Sequence, residues 1–284
     1  MNFNYVRKRA ARHFYPENCI QAIEKYIADN SPNNNTARRY FGAIVPHAGW
    51  IYSGGIAART IRILADNIAP QSVIVLGADH AGVAQHSVLT IGDWETPLGN
   101  ISINSELGNH IIDQSSDLII DDIQPHTREH SIEVIAPMIK YFFPNISIVP
   151  IIVRPDISSI EVGKIIASSI DNEQNIIVIA STDLTHYGLS YGFSPAGHGK
   201  AGLSWMHDND SKMIDVILTG TGNEILEEAD RHRNACGAGA IAALKQIVGS
   251  TGRGNGRLIE YSTSYGNNDP TDFDLGVGYA GIVF

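Results

Sequence analysis

Three histidines each follow, within six residues, an Ile/Val-rich run that is typical of a strand buried on both faces. The runs and the histidines after them are 41–45 with His47, 72–76 with His80, and 176–180 with His186. In open α/β sheets ligands bind beyond the carboxyl ends of the strands, so three neighbouring parallel strands would bring these imidazoles together. Taken alone, each of these histidines is more simply explained as a polar loop residue than as part of a site. Together they predict one site, and imidazole is a common ligand of zinc, iron and copper.

A metal site of this kind usually needs an anionic donor as well. The candidates are Asp79, Asp183 and Cys236. Cys236 directly precedes a predicted Ala/Gly-rich helix over 237–248, and a helix N-terminus favours a thiolate. The alternative for Cys236 is a small apolar residue in a crowded helix contact, which is a frequent role of a free cysteine.

A fourth cluster of polar residues occupies positions 128–133. Glu129 and Glu133 suit the N-terminal end of a helix, where negative charge is favourable. The functional alternative places His130 or Glu133 in the cleft, and the sequence leaves both interpretations open. His126 and His130 have the i,i+4 spacing of a helical metal pair, but Gln124-Pro125 argues against a helix there.

The elements that would position these residues alternate between strands and helices, which predicts βαβ units and a mainly parallel sheet. The predicted strands are 41–45, 72–76, 146–153 and 176–180, and the predicted helices between and before them are 18–29, 54–64, 131–143 and 158–170. The last third of the chain predicts helices over 198–218, 224–231 and 237–248, and strands over 257–265 and 277–284. Residues 31–36 predict a loop, and no linker divides the chain. We therefore expect a single α/β domain over 1–284, with helices flanking a central sheet.

Composition excludes several classes of protein. The 284 residues carry 30 acidic and 20 basic side chains, a formal charge of −10, which argues against nucleic acid or an anionic membrane as the main partner. The two cysteines, Cys19 and Cys236, cannot form a disulfide framework, so a reduced compartment fits better. The sequence has neither a secretory signal nor an apolar run of about 20 residues. We expect a soluble cytoplasmic protein.

Six groups of residues, in order along nearly the whole chain, resemble motifs of the Memo family. They are VPHAGWIYSG at 45–54, GADH at 77–80, WETPLG at 94–99, EHSIE at 129–133, STDLTHYG at 181–188, and CG at 236–237 with YAG at 279–281. Prokaryotic members are often called AmmeMemoRadiSam system protein B. That association implies a radical-SAM protein as a partner.

The resemblance implies a fold similar to class III extradiol ring-cleavage dioxygenases, which hold non-haem iron(II) with two histidines and a carboxylate. In Memo-like chains the matching residues are two histidines and a cysteine, here His47, His80 and Cys236. The position of the dioxygenase acid/base histidine corresponds to His186, with Asp183 beside it. A thiolate is softer than a carboxylate, so zinc and copper join iron as candidate metals. It can also be oxidised.

Three functions follow as hypotheses. The first is a metal-binding protein, redox active and without an assigned reaction. The second is a non-haem iron dioxygenase acting on a small aromatic molecule. The third is a module that binds a peptide or a partner in the same cleft. For the second and third, we expect Trp50, Tyr52, His130 and Tyr187 to contact the bound molecule.

Overall fold

The computed structural model describes residues 5–28, 39–66, 68–170, 175–252 and 255–284. Its strands are β1 (Val6–Arg7), β2 (Gly42–Val45), β3 (Ser72–Ala78), β4 (His86–Val88), β5 (Asp93–Trp94), β6 (Ile101–Ile103), β7 (Ile119–Asp121), β8 (Ser147–Val153), β9 (Ile176–Ser181), β10 (His186–Gly188), β11 (Arg257–Thr263) and β12 (Leu275–Val283). Its α-helices are α1 (Cys19–Ala28), α2 (Trp50–Ala65), α3 (Ser105–Asp113), α4 (Ile123–His126), α5 (His130–Glu133), α6 (Ala136–Phe142), α7 (Ser158–Ser169), α8 (Gly199–Thr219), α9 (Gly222–His232) and α10 (Ala238–Ser250). The loop predicted at 31–36 lies outside the described residues.

Four parallel strands form the centre of the sheet, in the order β8-β3-β9-β2. All four correspond to predicted apolar runs, and nearly every residue in them is buried. Successive side chains of a strand point to opposite faces, so Val178 and Ala180 join one apolar cluster while Ile177 and Ile179 join another. Burial on both faces explains why these runs show no apolar/polar alternation.

A layer of helices covers each face of this sheet. Helices α1, α2 and α6 supply the cluster on one face, and α3, α7, α8, α9 and α10 supply the cluster on the other. Both clusters pack on one continuous sheet, which confirms the α/β class and the single domain. Among the described residues, no helix combines the length and the apolar character needed to cross a membrane.

Antiparallel pairs occur outside the four central strands, which the alternating pattern in the first two thirds of the chain did not indicate. β12 pairs antiparallel with β2, β10 and β11, and β4 and β5 also have antiparallel partners. The sheet is therefore mixed and mostly parallel. The strands missed by the sequence analysis are two to three residues long, too short to show a periodic pattern.

The helix predicted over 131–143 is divided into α5 and α6. Pro137 lies in the first turn of α6, where proline is tolerated because the first amides of a helix lack intrahelical partners. Residues 123–126 form one separate helical turn, so His126 and His130 do not share a helix. This separation leaves His130 at the start of α5, beside the end of β3.

Candidate metal centre and its pocket

The carboxyl ends of three adjacent strands supply the residues of the candidate site. β9 lies between β3 and β2 in the sheet, so the turns after these strands are neighbours. His47 follows β2, His80 follows β3, and Asp183 and His186 follow β9. The ring centroids of His47 and His80 are 5.2 Å apart. The predicted convergence of these two histidines is confirmed.

His47 is held in one tautomer by the neighbouring strand. Its Nδ1 lies 2.8 Å from the hydroxyl oxygen of Ser181, and that hydroxyl donates to the carbonyl oxygen of Ser131 at 2.7 Å. Because the serine proton is used there, the serine oxygen accepts from His47 Nδ1–H. The Nε2 lone pair stays free and faces Cys236 Sγ at 3.3 Å. Burial lowers the pKa of His47 well below its ordinary value, so the ring is neutral and able to bind a metal.

His80 is oriented by a buried carboxylate. Its Nδ1 lies 2.9 Å from Glu129 Oε1, and its backbone N–H donates to Glu129 Oε2 at 3.2 Å. Burial disfavours the ionised carboxyl, but hydrogen bonds from His80 and Ser131 outweigh burial and hold the pKa of Glu129 far below its usual range. Burial likewise opposes protonation of His80, yet its contacts with Cys236 and Glu129 raise its pKa to about 10. The metal-free ring is therefore protonated on both nitrogens at neutral pH. Because Glu129 holds Nδ1–H, the Nε2 proton is the one that an ion would displace.

Cys236 reaches the histidines because the segment before α10 packs closely on the end of β9. Its Sγ accepts from the backbone N–H of Asp183 at 3.2 Å, and its own N–H donates to the Asp183 carbonyl oxygen at 3.1 Å. A Cβ atom at Gly237 would collide with the carbonyl oxygen of Ser181. Only glycine allows this close approach, which directs the thiol toward the two rings.

The three donor atoms are spaced as a metal requires. One nitrogen from each of His47 and His80 and the sulfur of Cys236 all lie within 4.8 Å of one another. Tetrahedral bonds of about 2.0–2.3 Å place neighbouring donors about 3.3–3.8 Å apart. The 3.3 Å between His47 Nε2 and Cys236 Sγ is close to that spacing. A second group, His80, Glu129 and His130, lies within the same distance, but Glu129 is already engaged by His80.

Asp79 shapes the turn that carries His80 and belongs to neither donor group. Its carboxylate accepts from the backbone N–H groups of Gly82 at 2.8 Å and Val83 at 2.9 Å. A short acidic side chain that bonds the amides just after it is a common way to close a turn. Of the anionic donors that the sequence left open, the structure therefore brings Cys236 to the histidines and uses Asp79 locally.

Asp183 supports the turn of His47 and does not touch the ring of His186. Its Oδ1 accepts from the backbone N–H groups of His47 at 2.8 Å and Ala48 at 3.3 Å, and burial raises its pKa to about 7. His186 Nδ1 donates instead to the carbonyl oxygen of Leu184 at 3.0 Å. The expectation that Asp183 orients His186 is wrong, because the turn after β9 directs the carboxyl toward residues 47–48.

His130 faces the site, as one of the two alternatives for the 128–133 cluster proposed. Its ring stacks on His80 at 4.4 Å between centroids and lies 5.3 Å from the centroid of His47. Burial, assisted by the nearby His80, lowers the pKa of His130 to about 4. The ring is therefore a neutral group at ordinary pH, placed directly beside the donor atoms.

Glu133 faces away from the site and binds the N-terminal arm, which we define as residues 5–18. Its carboxylate accepts from the N–H groups of Ala10 and Ala11, both at 2.9 Å, and from the Tyr15 hydroxyl at 2.7 Å. It also forms a buried ion pair with Arg7. Arg7 donates in addition to the Glu129 carbonyl oxygen at 2.8 Å. The arm is thus tied to the loop that orients His80, a role that sequence analysis missed because Arg7 lies over 100 positions away.

A pocket of about 460 Å³ adjoins the site through His130 and Asp183, and the three donor residues are not among those that line it. Four of the predicted site residues line it, namely Tyr52, His130, Asp183 and His186. The other lining residues are Phe14, Ala48, Gly49, Tyr191, Ser264, Tyr265, Leu275, Val277 and Tyr279. His186 lies edge-on to Tyr191, with ring centroids 5.0 Å apart, and burial lowers its pKa. Histidine and tyrosine side chains therefore line this pocket.

Trp50 and Tyr187 are not among the residues that line this pocket, and their contact with a bound molecule stays a prediction. Both are buried, and both polar atoms are used: Trp50 Nε1 donates to Val134 O at 2.9 Å, and Tyr187 OH donates to Gly197 O at 2.7 Å. Residues two apart on a helix lie on different faces, so Tyr52 is exposed while Trp50 enters the core. Adjacent residues of β10 also alternate, which sends His186 and Tyr187 to opposite sides.

Comparison with known proteins identifies relatives along almost the whole chain. The Memo-like protein family matches residues 7–283. A MEMO1 family protein of Pyrobaculum arsenaticum is 35% identical, with 98% of this chain and 99% of that protein covered. A MEMO1 family protein of Pyrococcus furiosus is 32% identical, with 98% of each chain covered. One from Methanopyrus kandleri is 34% identical over 86% of this chain and 82% of its own.

A solved structure shares the fold. The crystal structure of an uncharacterized protein from Escherichia coli K12 superposes with a TM-score of 0.50 at 12% identity. The superposition covers 84% of this chain and 99% of that one. At this identity the likeness supports the α/β architecture alone.

Proposed function

This chain belongs to the Memo family, and we propose that it binds one transition-metal ion through His47, His80 and Cys236. The observation that carries the proposal is the orientation of the two Nε2 atoms, of which His47 Nε2 is unprotonated and His80 Nε2 would release its proton to bind an ion. Ser181 and Glu129 each take the Nδ1–H of one histidine, which leaves each Nε2 for the ion. Cys236 Sγ stands 3.3 Å from one of them.

The donor set suits iron(II), zinc and copper more than magnesium or calcium. Imidazole and thiolate are borderline and soft ligands, whereas magnesium and calcium prefer oxygen. A thiolate ligand also makes the site sensitive to oxidation, since sulfur is oxidised before imidazole. The proposed function is therefore a metal centre with redox sensitivity at Cys236.

A second candidate function, a metal-dependent reaction of a small aromatic molecule such as a dioxygenase would catalyse, is favoured by the position of His186. Its ring lines the pocket, and because Nδ1–H donates to Leu184 O, Nε2 is the atom free to accept a proton. Burial lowers its pKa, so the ring is neutral and basic at neutral pH. A bound ion would supply polarisation of a ligand oxygen. His186 would then hold the proton released from that oxygen.

Metal analysis of untagged protein tests the first proposal. The protein is purified without chelators, loaded anaerobically with iron(II), zinc or copper, desalted and analysed for metal per chain. We expect one ion per chain, and its loss in the Cys236→Ala variant. Wild-type protein that retains no metal, or a Cys236→Ala variant that retains as much, would contradict it.

Oxygen uptake with protocatechuate by the iron-loaded protein tests the second candidate. Because a thiolate replaces the carboxylate of ring-cleaving dioxygenases, we expect slow turnover or none. Rapid ring cleavage that is lost in His186→Ala would assign the protein a dioxygenase activity.

A further inference from the structure

The pocket that adjoins the site is built mainly from aromatic rings. Five of its lining residues are phenylalanine or tyrosine: Phe14, Tyr52, Tyr191, Tyr265 and Tyr279. Its volume of about 460 Å³ lies in the range of small-molecule sites. The faces of such rings carry partial negative charge and attract cations within about 6 Å of the centroid.

No lysine or arginine lines this pocket among the described residues. Arg233 lies nearby, but its guanidinium stacks on Phe193 at 4.6 Å and donates to the backbone carbonyls of Tyr191 and Gly192, each at 3.4 Å. Carboxylates and phosphates are normally recognised by arginine or lysine. The walls of the pocket therefore offer an anionic ligand no cationic side chain.

An acidic loop adjoins the pocket, and we call it the acidic rim: residues 269–274 directly precede Leu275, which lines the pocket. Tyr265 donates to the backbone oxygen of Asp269 at 2.5 Å, so its ring lies against the 269–274 loop. Three carboxylates of that loop, Asp269, Asp272 and Asp274, act on the Tyr265 hydroxyl and contribute to raising its pKa, after the effect of burial. Asp272 and Asp274 are exposed. Negative charge beside a cleft attracts cations and repels anions.

From this arrangement we propose that the pocket takes a small aromatic molecule carrying a protonated amine, and discriminates against molecules carrying a carboxylate. The ring of the ligand packs among the tyrosines, and its ammonium group lies toward Tyr265 and the acidic loop. The inference rests on the proposed function in that it assigns the ligand of the same site. The aromatic and acidic groups that carry it are separate from His47, His80 and Cys236.

Tyramine and 4-hydroxyphenylacetate form a matched pair of probes. They share a phenol ring and a short side chain, and they differ in ending with an ammonium or a carboxylate group. Calorimetric titration is carried out on metal-free and zinc-loaded protein at low ionic strength, with metal content measured on the same samples. A cation–π contact and the acidic rim together favour tyramine by about ten-fold in Kd. Added salt should narrow the difference, because the rim charges are exposed.

Two test variants and one control variant separate the proposal from nonspecific binding of tyramine. Asp272→Asn combined with Asp274→Asn should weaken tyramine several-fold and leave metal content unchanged, while Asp113→Asn, an exposed carboxylate on α3, should change neither. Tyr191→Leu should also weaken tyramine. Equal or tighter binding of 4-hydroxyphenylacetate in either metal state overturns the proposal. So does tyramine affinity that is unchanged both in the Asp272→Asn/Asp274→Asn protein and in Tyr191→Leu. Wild-type protein that retains no metal after loading would instead refute the proposed function. The titration of metal-free protein would then still show whether the pocket prefers tyramine.

Discussion

The two ends of the central sheet carry cavities that differ in size and in whether side chains able to hold a metal lie nearby. At the amino ends, where β3 and β9 begin, a cavity of about 750 Å³ is lined by Ser72, Asn104, His110, Ser169, Ile176 and their neighbours. At the carboxyl ends the pocket is smaller, about 460 Å³. Among the described residues, both groups of side chains that could hold a metal lie at the carboxyl ends. Cavity size alone would therefore select the wrong end of the molecule.

The difference lies in what the polar groups already do. At the amino end, Asn104 caps α3 by accepting from Leu107 N–H at 3.0 Å, and Ser72 and Ser169 donate to backbone carbonyls. These groups complete helix ends and strand starts. At the carboxyl end, Ser181 and Glu129 occupy one nitrogen of each histidine and leave the other available. A side chain can bind a metal where hydrogen bonds fix its orientation and leave one of its donor atoms for the ion.

The largest expected effect is metal loss on removal of a donor. His47→Ala should reduce bound metal from one ion per chain to nearly none, because a buried imidazole ligand is replaced by a group with no lone pair. His110→Ala, which alters the amino-end cavity, should leave the metal content unchanged. Elemental analysis of both proteins checks the comparison, and metal loss in both would remove the distinction between the ends.

We also expect a substitution in the buried ion pair near the carboxyl end to lower the free energy of unfolding more than a substitution at the amino end. Glu133→Gln leaves Arg7 buried without its charged partner, and we expect a loss of about 3–5 kcal/mol in the free energy of unfolding. Asn104→Ala removes a helix cap at the amino end and should cost about 1 kcal/mol. Urea denaturation of the two variants measures the difference, and similar losses would mean that the N-terminal arm contributes little.

Glu129→Gln tests whether orientation of a donor matters as well as its presence. The amide keeps the shape of the side chain but removes the charge that faces His80 Nδ1–H, and we expect metal affinity to fall about 10–100-fold. Competition with a chelating dye gives the affinity. An unchanged value would show that His80 needs no carboxylate to present Nε2.

A pH effect of about 2 kcal/mol between pH 7 and pH 5 should come from His126, which is buried beside Trp94. Burial lowers its folded-state pKa to about 3, against 6.5 in the unfolded chain. The unfolded state therefore binds the proton first, so this contribution to stability is complete above pH 6.5 and is lost progressively as pH falls toward 3. His126→Phe should unfold less readily than the wild type at pH 5. Parallel stability profiles for the two proteins would contradict the assignment.

The smallest expected effect on metal binding belongs to His186→Ala. His186 lines the pocket and is not a member of the donor group, so its removal should change metal affinity by less than about two-fold, within what a distant polar substitution causes. Metal content equal to that of His47→Ala would make His186 a ligand and would leave its proposed acid/base role without support.

Much of the fold was predictable because the signals for it are local. The four central strands are continuous apolar runs, and burial on both faces leaves that pattern in any sheet of this kind. His47 and His80 were predictable for the same reason, since each sits a few residues after such a run. The antiparallel pairs formed by β12 were not predictable, because pairing of β12 with β2 joins segments more than 200 residues apart.

The amino-acid sequence by itself determined which residues stand at the strand ends and which helix begins after Cys236. Only the tertiary structure decided their partners. Glu129 meets His80 across 49 positions, and Arg7 meets Glu133 across 126. Asp183, adjacent in sequence to the turn of His186, bonds the turn of His47 instead. The physical reason is that periodicity and turn chemistry act over a few residues, whereas the order of β3, β9 and β2 in the sheet sets which loops become neighbours.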